Sequence, residues 1–194
     1  MYITGVKFIL SAPNKSQWID DDKKEIIILG RSNVGKSTFI NRITNVRQLA
    51  KVSSTPGRTR LLNFFDVQNR YRLVDAPGYG YAGISRKMDE SFGSMMEEYF
   101  EGRKNLAGAL FLLDSRRIPN ADDKLMLEVL LRHNIPFIII ATKCDKLNQS
   151  ERARLRRNIL GELNLPESIQ IINSSINRDN WMDQVIERIE YLIK

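Results

Sequence analysis

The sequence is short of the features that would take it out of ordinary globular chemistry. Its single cysteine, Cys144, excludes an internal disulfide framework and fits a reducing compartment. No run approaches the roughly 18 apolar residues that a spanning helix needs, and no Pro, Gly or Ser tract or repeat suggests a linker or solenoid. The opening MYITGVKFILSAP carries an apolar patch, but it lacks a basic leader and is interrupted by Lys7, so it makes a poor signal peptide. Tyr2 stands where myristoylation needs glycine, and the closing YLIK is no prenylation box. These absences lead us to expect a cytoplasmic protein with no membrane partner, which we read as a monomer. The lone histidine, His133, has no partner pattern and takes no role.

At 194 residues the chain suits one well-buried core. We expect a single domain over 23–194, with 1–22 as an N-terminal extension packed on it. A net charge of +7 favours an anionic partner, although solvated surface charge accounts for it equally well.

Short β-rich runs alternate with helical patterns. EIIIL (25–29), LLNFFDV (61–67), RYRLVD (70–75), LAGALFLLD (106–114), PFIIIAT (136–142) and SIQIIN (168–173) predict six strands. The IIIL, ALFLL and FIII runs are apolar throughout, as in parallel strands covered on both faces. Gln68-Asn69 alone separates the second and third runs, which predicts an antiparallel hairpin. Helices are expected after the first strand and over 88–101, 121–133, 149–163 and 179–193. In the third, Leu125, Met126, Val129 and Leu130 share the inner face; in the last, Trp181, Met182, Val185, Ile186, Ile189 and Ile193 do. The fold class is α/β, a doubly wound sheet whose ligand lies beyond the carboxyl ends of its strands.

GRSNVGKS fits GxxxxGK[ST] and follows a buried strand at the start of a helix, the context that a P-loop requires. Gly30 and Gly35 let the backbone of Arg31, Ser32, Asn33 and Val34 turn its N–H groups toward a β-phosphate. Lys36 reaches the β/γ oxygens, Ser37 offers a hydroxyl to Mg²⁺, and Thr38 continues the helix start. Asp75, Ala76, Pro77 and Gly78 form a DxxG at a strand end, where Asp75 holds Mg²⁺ through water and the Gly78 N–H meets the γ-phosphate. TKCD supplies Thr142 as a brace, Lys143 with its stem along a purine face, Cys144 as a small spacer, and Asp145 for guanine N1–H and the 2-amino group, donors adenine lacks. Asn173, Ser174 and Ser175 follow the sixth strand and suit the guanine carbonyl. Between the first helix and second strand, Gly57, Arg58, Thr59, Arg60 and Leu61 lie in a loop suited to a γ-phosphate switch, with Thr59 completing the Mg²⁺ shell and Thr55 its rival. Lys36, Thr59 and Gly78 are the candidate catalytic residues. The ligand expected is GTP or GDP with Mg²⁺; a P-loop kinase would need a lid and an acceptor site, and TKCD argues against it.

TPGRTRLLNFF, VDAPGYGYA and LLDSRRIPNADD, in register with these motifs, resemble the EngB family of bacterial GTPases from about residue 5 to the end. The resemblance implies a P-loop NTPase of Ras-like fold that assists large ribosomal subunit assembly, is needed for cell division and septation, and has the ribosomal particle or its RNA as partner. A regulatory GTPase acting through a division protein is the alternative. Tyr79 replaces the water-orienting glutamine of Ras-type enzymes, so slow intrinsic hydrolysis is expected. Several relatives use Asn at the position of Asn33 as a K⁺ ligand, but Asn33 equally suits the tight turn. Candidate RNA-facing cations are Arg42, Arg47, Lys51, Arg58, Arg60, Arg86, Lys87, Arg152, Arg154, Arg156 and Arg157; Tyr79 and Tyr81 could stack on bases or pack the loop.

Overall fold

The computed structural model describes residues 2–50, 61–80, 86–177 and 180–194, with the backbone alone at 86–91. Its elements are β1 (Val6–Ala12), β2 (Lys24–Gly30), α1 (Lys36–Thr44), β3 (Leu62–Val67), β4 (Tyr71–Asp75), α2 (Arg86–Gly102), β5 (Leu106–Asp114), α3 (Ala121–Arg132), β6 (Phe137–Thr142), α4 (Gln149–Glu162), β7 (Ile171–Asn173) and α5 (Asn180–Leu192). Among the described residues they form one sheet in the order β1-β3-β4-β2-β5-β6-β7. β2 pairs in parallel with β4 and β5, β5 with β6, and β6 with β7; β3 runs antiparallel to both β4 and β1.

Seven strands correct the expected six. The extra strand is β1, an edge strand whose residues are mostly exposed, including Phe8 and Ile9, and whose register slips between Phe8 and Leu10. That slip spoils the two-residue period by which a strand is recognised. The last strand is also shorter than the 168–173 expected, because Ile169 N–H closes a turn on the Pro166 carbonyl at 3.1 Å. The β3–β4 hairpin turns on Gln68 and Asn69, both left-handed at φ 51° and 58°, the geometry of a two-residue turn matched to strand twist.

The IIIL run shows how the sheet divides the core. Ile26 and Ile28 pack with Phe39, Ile40, Trp181, Val185 and Ile189 beneath α1 and α5. Ile27 and Leu29 pack with Tyr99, Phe100, Leu130 and Ile159 beneath α2, α3 and α4. All four are 0% exposed, each stabilising the fold by about 1.5–3 kcal/mol of apolar transfer. Two helices start on capping boxes, Asn120 with Asp123 for α3 and Asn148 with Glu151 for α4, satisfying backbone donors that would otherwise be orphaned. The inner face of α3 differs from expectation: Leu127 is buried, and Leu125 is 61% exposed. The apolar pattern of LMLEVLL covers too much of the helix circumference to fix its rotation.

Candidate nucleotide site

Every described candidate loop leaves the carboxyl end of a strand. Gly30 closes β2 where a Cβ would lie 2.8 Å from Val34 Cγ1 and 3.1 Å from the Leu112 carbonyl, so only glycine fits. Asn33 and Gly35 take positive φ, 65° and 105°, and curl the backbone into the start of α1. The positive φ of Asn33 is one that asparagine tolerates in a tight turn. Lys36 opens α1 and donates through Nζ to Asp75 Oδ1 at the end of β4. Ser37 is half-buried beside Lys36, and Thr38 is exposed on the same first turn.

The segment after Asp75 lies on the P-loop as an added rung. Ala76 N–H donates to the Ile28 carbonyl at 3.2 Å, Ser32 N–H to the Tyr79 carbonyl at 2.8 Å, and Ser32 Oγ to the Gly78 carbonyl at 3.4 Å. A Cβ on Gly78 would sit 3.0 Å from the Ser32 backbone, so the close approach depends on glycine. Pro77 between them is half-buried. Tyr79 is only 4% exposed, with its hydroxyl donating to Asp123 Oδ1 at 2.9 Å. Of the two readings of Tyr79, packing therefore replaces base stacking.

The third loop is braced against the first. Thr142 Oγ1, buried, donates to the Val34 carbonyl at 2.7 Å and approaches the Leu113 carbonyl at 3.2 Å. Lys143 reaches back across the gap, its Nζ 2.6 Å from the Asn33 carbonyl and 2.9 Å from Asp114 Oδ2. Burial alone would raise the Asp114 carboxyl, but hydrogen bonds from Arg116 and Lys143 hold it well below the usual carboxylate range. Cys144 is buried, its Sγ donating to the Ala141 carbonyl at 3.2 Å, and burial pushes its thiol up, as suits a spacer rather than a nucleophile.

Residues 173–175 close on this loop. Ser174 N–H donates to the Ala141 carbonyl at 2.8 Å and Cys144 N–H to the Ser174 carbonyl at 3.1 Å. Asp145 Oδ1 accepts from Ile176 N–H at 3.3 Å, and the Ser175 carbonyl accepts from Trp181 Nε1 at 3.0 Å. Asn173 is exposed at the end of β7. The structure thus brings together Gly30 to Thr38, Asp75 to Gly78, Thr142 to Asp145 and Asn173 to Ser175. Leu61 stands half-buried just before β3. Thr55, Gly57, Arg58, Thr59 and Arg60 lie outside the described residues, as do Lys51 and Tyr81.

Beside the P-loop lies a cavity of about 310 Å³, lined by Arg31, Arg116, Arg117 and Lys143 against Asp114 and Asp123. Arg31 and Lys143 stand in the motifs, whereas Arg116 and Arg117 come from LLDSRR in the linking segment, which the motifs did not connect to the site. Arg116 grips Asp114 with two bonds of 2.9 and 2.8 Å. The Arg117 guanidinium has no hydrogen-bond or ion-pair partner among the described residues. On α4, Arg154 folds back on Ser150 at 2.8 Å and Arg156 on the Ile169 carbonyl at 3.1 Å, so part of that cluster serves local structure.

Residues 25–143 match the model of a 50S ribosome-binding GTPase family. A probable GTP-binding protein EngB of Mycoplasma capricolum is 51% identical over 180 residues, 92% of this chain and 92% of that protein. The chain belongs to the EngB family. Members of this family are GTPases that bind guanine nucleotides and hydrolyse GTP. A crystal structure of a probable GTP-binding protein engB superposes with a TM-score of 0.72 at 25% identity, covering 87% of this chain and 98% of that one. Era in complex with MgGDPNP and a 16S ribosomal RNA fragment shares the fold, with a TM-score of 0.65 at 21% identity, over 89% of this chain and 57% of Era's. Among the described residues no helix is long and apolar enough to cross a membrane.

Proposed function

We propose that this EngB-family GTPase is a nucleotide-dependent switch in large ribosomal subunit assembly, working in the cytoplasm and required for normal cell division and septation. One observation carries the nucleotide part of the reading. The Lys143 ammonium bonds to the Asn33 carbonyl at 2.6 Å, so the loop that reads guanine and the loop that cradles phosphate act as one unit. The ribosomal part rests on the family's description and on a basic surface beside that unit, where Arg117, without a side-chain partner among the described residues, suits an RNA phosphate.

Ser37 and Asp75, joined by Thr59, are the residues that would hold Mg²⁺, with Asp75 acting through water. Their fit is supported by the Asp75 carboxylate, 7% exposed and already facing a cation in Lys36. Mg²⁺ keeps several waters and takes phosphate oxygens, so one carboxylate with hydroxyls would suffice from the protein. When bound, the ion would offset charge on the β/γ oxygens. Tyr79 is buried where a glutamine would orient water, which favours slow intrinsic turnover. K⁺ at Asn33 would raise that rate over Na⁺ at equal ionic strength.

Co-sedimentation with purified 50S subunits tests the proposal. The protein loaded with a non-hydrolysable GTP analogue should pellet with the subunits and be released by rising salt, whereas the GDP form should stay in solution. Failure to pellet in either form would turn the search to a protein partner of the division machinery.

A further inference from the structure

Tyr79 carries more of the site than its place in the sequence suggests. Its backbone is the rung that docks on the P-loop, with Ser32 N–H bonded to its carbonyl at 2.8 Å. Its side chain runs the opposite way, into the core between α2 and α3, where it shares a groove with Phe92, Met96 and Met126. At the far end its hydroxyl meets Asp123 at 2.9 Å, and the other oxygen of that carboxylate caps α3 by accepting from Asn120 N–H at 2.9 Å. The phenol stays protonated, because burial first and then the Asp123 charge raise it well above its ordinary range. One residue therefore joins the P-loop, the Gly78 segment and the capped end of α3. Gly80 completes the seat, with φ +67° and its carbonyl 3.3 Å from Arg31 Nη2.

We infer that Tyr79 is a positioning residue for recognition of the γ-phosphate: its hydroxyl bond to Asp123 fixes where Gly78 sits against Ser32, and so presets the backbone that distinguishes GTP from GDP. The inference rests on the proposed nucleotide function. Its physical content is preorganisation. If the seat is occupied only part of the time, apparent affinity for a ligand that needs it falls by that fraction, while a ligand that does not need it is unaffected. In the proposed site GDP would use the P-loop, Thr142 to Asp145 and Ser174, and only a triphosphate would reach Gly78.

Tyr79→Phe removes the hydroxyl and keeps the ring in the groove. Affinities for GDP and for a non-hydrolysable GTP analogue would be measured by fluorescence on the parent and the variant, with thermal melting alongside. Loss of a hydrogen bond to a carboxylate predicts roughly tenfold weaker binding of the analogue, with GDP changed by less than twofold. Asp123→Ala removes the acceptor of the Tyr79 hydroxyl altogether and should shift the ratio the same way, which keeps the test open if Tyr79→Phe fails to fold. Equal weakening of both nucleotides would make Tyr79 merely structural, and an unchanged ratio in both variants would overturn the inference. A parent protein that binds neither nucleotide would instead sink the proposed function.

Discussion

Thr142→Val removes one hydroxyl while nearly preserving shape, and so tests whether the guanine-reading loop is braced on the P-loop. Thr142 is 4% exposed and its acceptor residue Val34 3%, so water cannot take the place of the lost donor. The hydroxyl has one proton to give; at 2.7 Å the Val34 carbonyl takes it, and the Leu113 carbonyl at 3.2 Å adds little. A net hydrogen bond of about 1 kcal/mol, together with a buried carbonyl left short of a donor, gives a loss of ~1–2 kcal/mol. In a domain of this size each kcal/mol lowers Tm by about 2–4 °C, so we expect a fall of ~2–8 °C. Because Val34 belongs to the phosphate cradle, GDP and GTP should both bind about three- to tenfold more weakly, by the same factor. Calorimetric melting and equilibrium titration would measure the two effects, and Thr142→Ser, which keeps the donor, should recover most of the binding. A Thr142→Val protein that melts with the parent and binds GDP as tightly would refute the brace.

Two further substitutions probe charges the motifs did not name. Glu25 is 0% exposed and accepts from Arg72 Nη1 at 3.0 Å, Tyr99 OH at 2.7 Å and Arg103 Nε at 2.7 Å, at the end of β2 far from the P-loop. Glu25→Gln leaves two guanidinium groups facing a neutral amide and should cost ~3–5 kcal/mol in urea unfolding, with GDP affinity of the folded protein unchanged. Asp114 has a depressed folded pKa, so its contribution is present above the unfolded value near 3.9 and is lost as pH falls through the folded one. Asp114→Asn should therefore be less stable than the parent by ~1–2 kcal/mol from pH 8 down to about 5, after discounting the half-exposed Arg116. Denaturant titrations should show that gap closing below about pH 4; a gap that widens on acidification would contradict the sign.

Legibility followed the local character of each signal. β2 and β6 could be read because runs such as Ile26 to Leu29 are apolar on both faces, and the P-loop because glycine is forced at Gly30 and Gly35 by close approach and positive φ. β1 escaped because an exposed edge strand with a slipped register has no clean period. The seating of Tyr79 depends on Asp123, remote in sequence, and nothing local distinguishes a buried tyrosine from one that stacks on RNA. Glu25 was invisible for the same reason: the position before an apolar run reads as a solvated strand end until Arg72, Tyr99 and Arg103 are brought around it. Lys143 was recognised by its motif, but its bonds to the Asn33 carbonyl and Asp114 needed the fold.

The most direct test of guanine recognition is the exchange of one oxygen for one amide at Asp145. The carboxylate is held beside Ile176 N–H at 3.3 Å, in the loop that Cys144 and Ser174 join, and accepts the N1–H and 2-amino donors of guanine in our account. Asp145→Asn should weaken GDP and strengthen xanthosine diphosphate, a relative change of ~2–4 kcal/mol, because the amide pairs with the purine carbonyl that a carboxylate repels. Competition titrations of both nucleotides against parent and variant would read it. The preference should reverse in the variant, and a variant that still chose GDP over xanthosine diphosphate as strongly as the parent would show that Asp145 does not read the base.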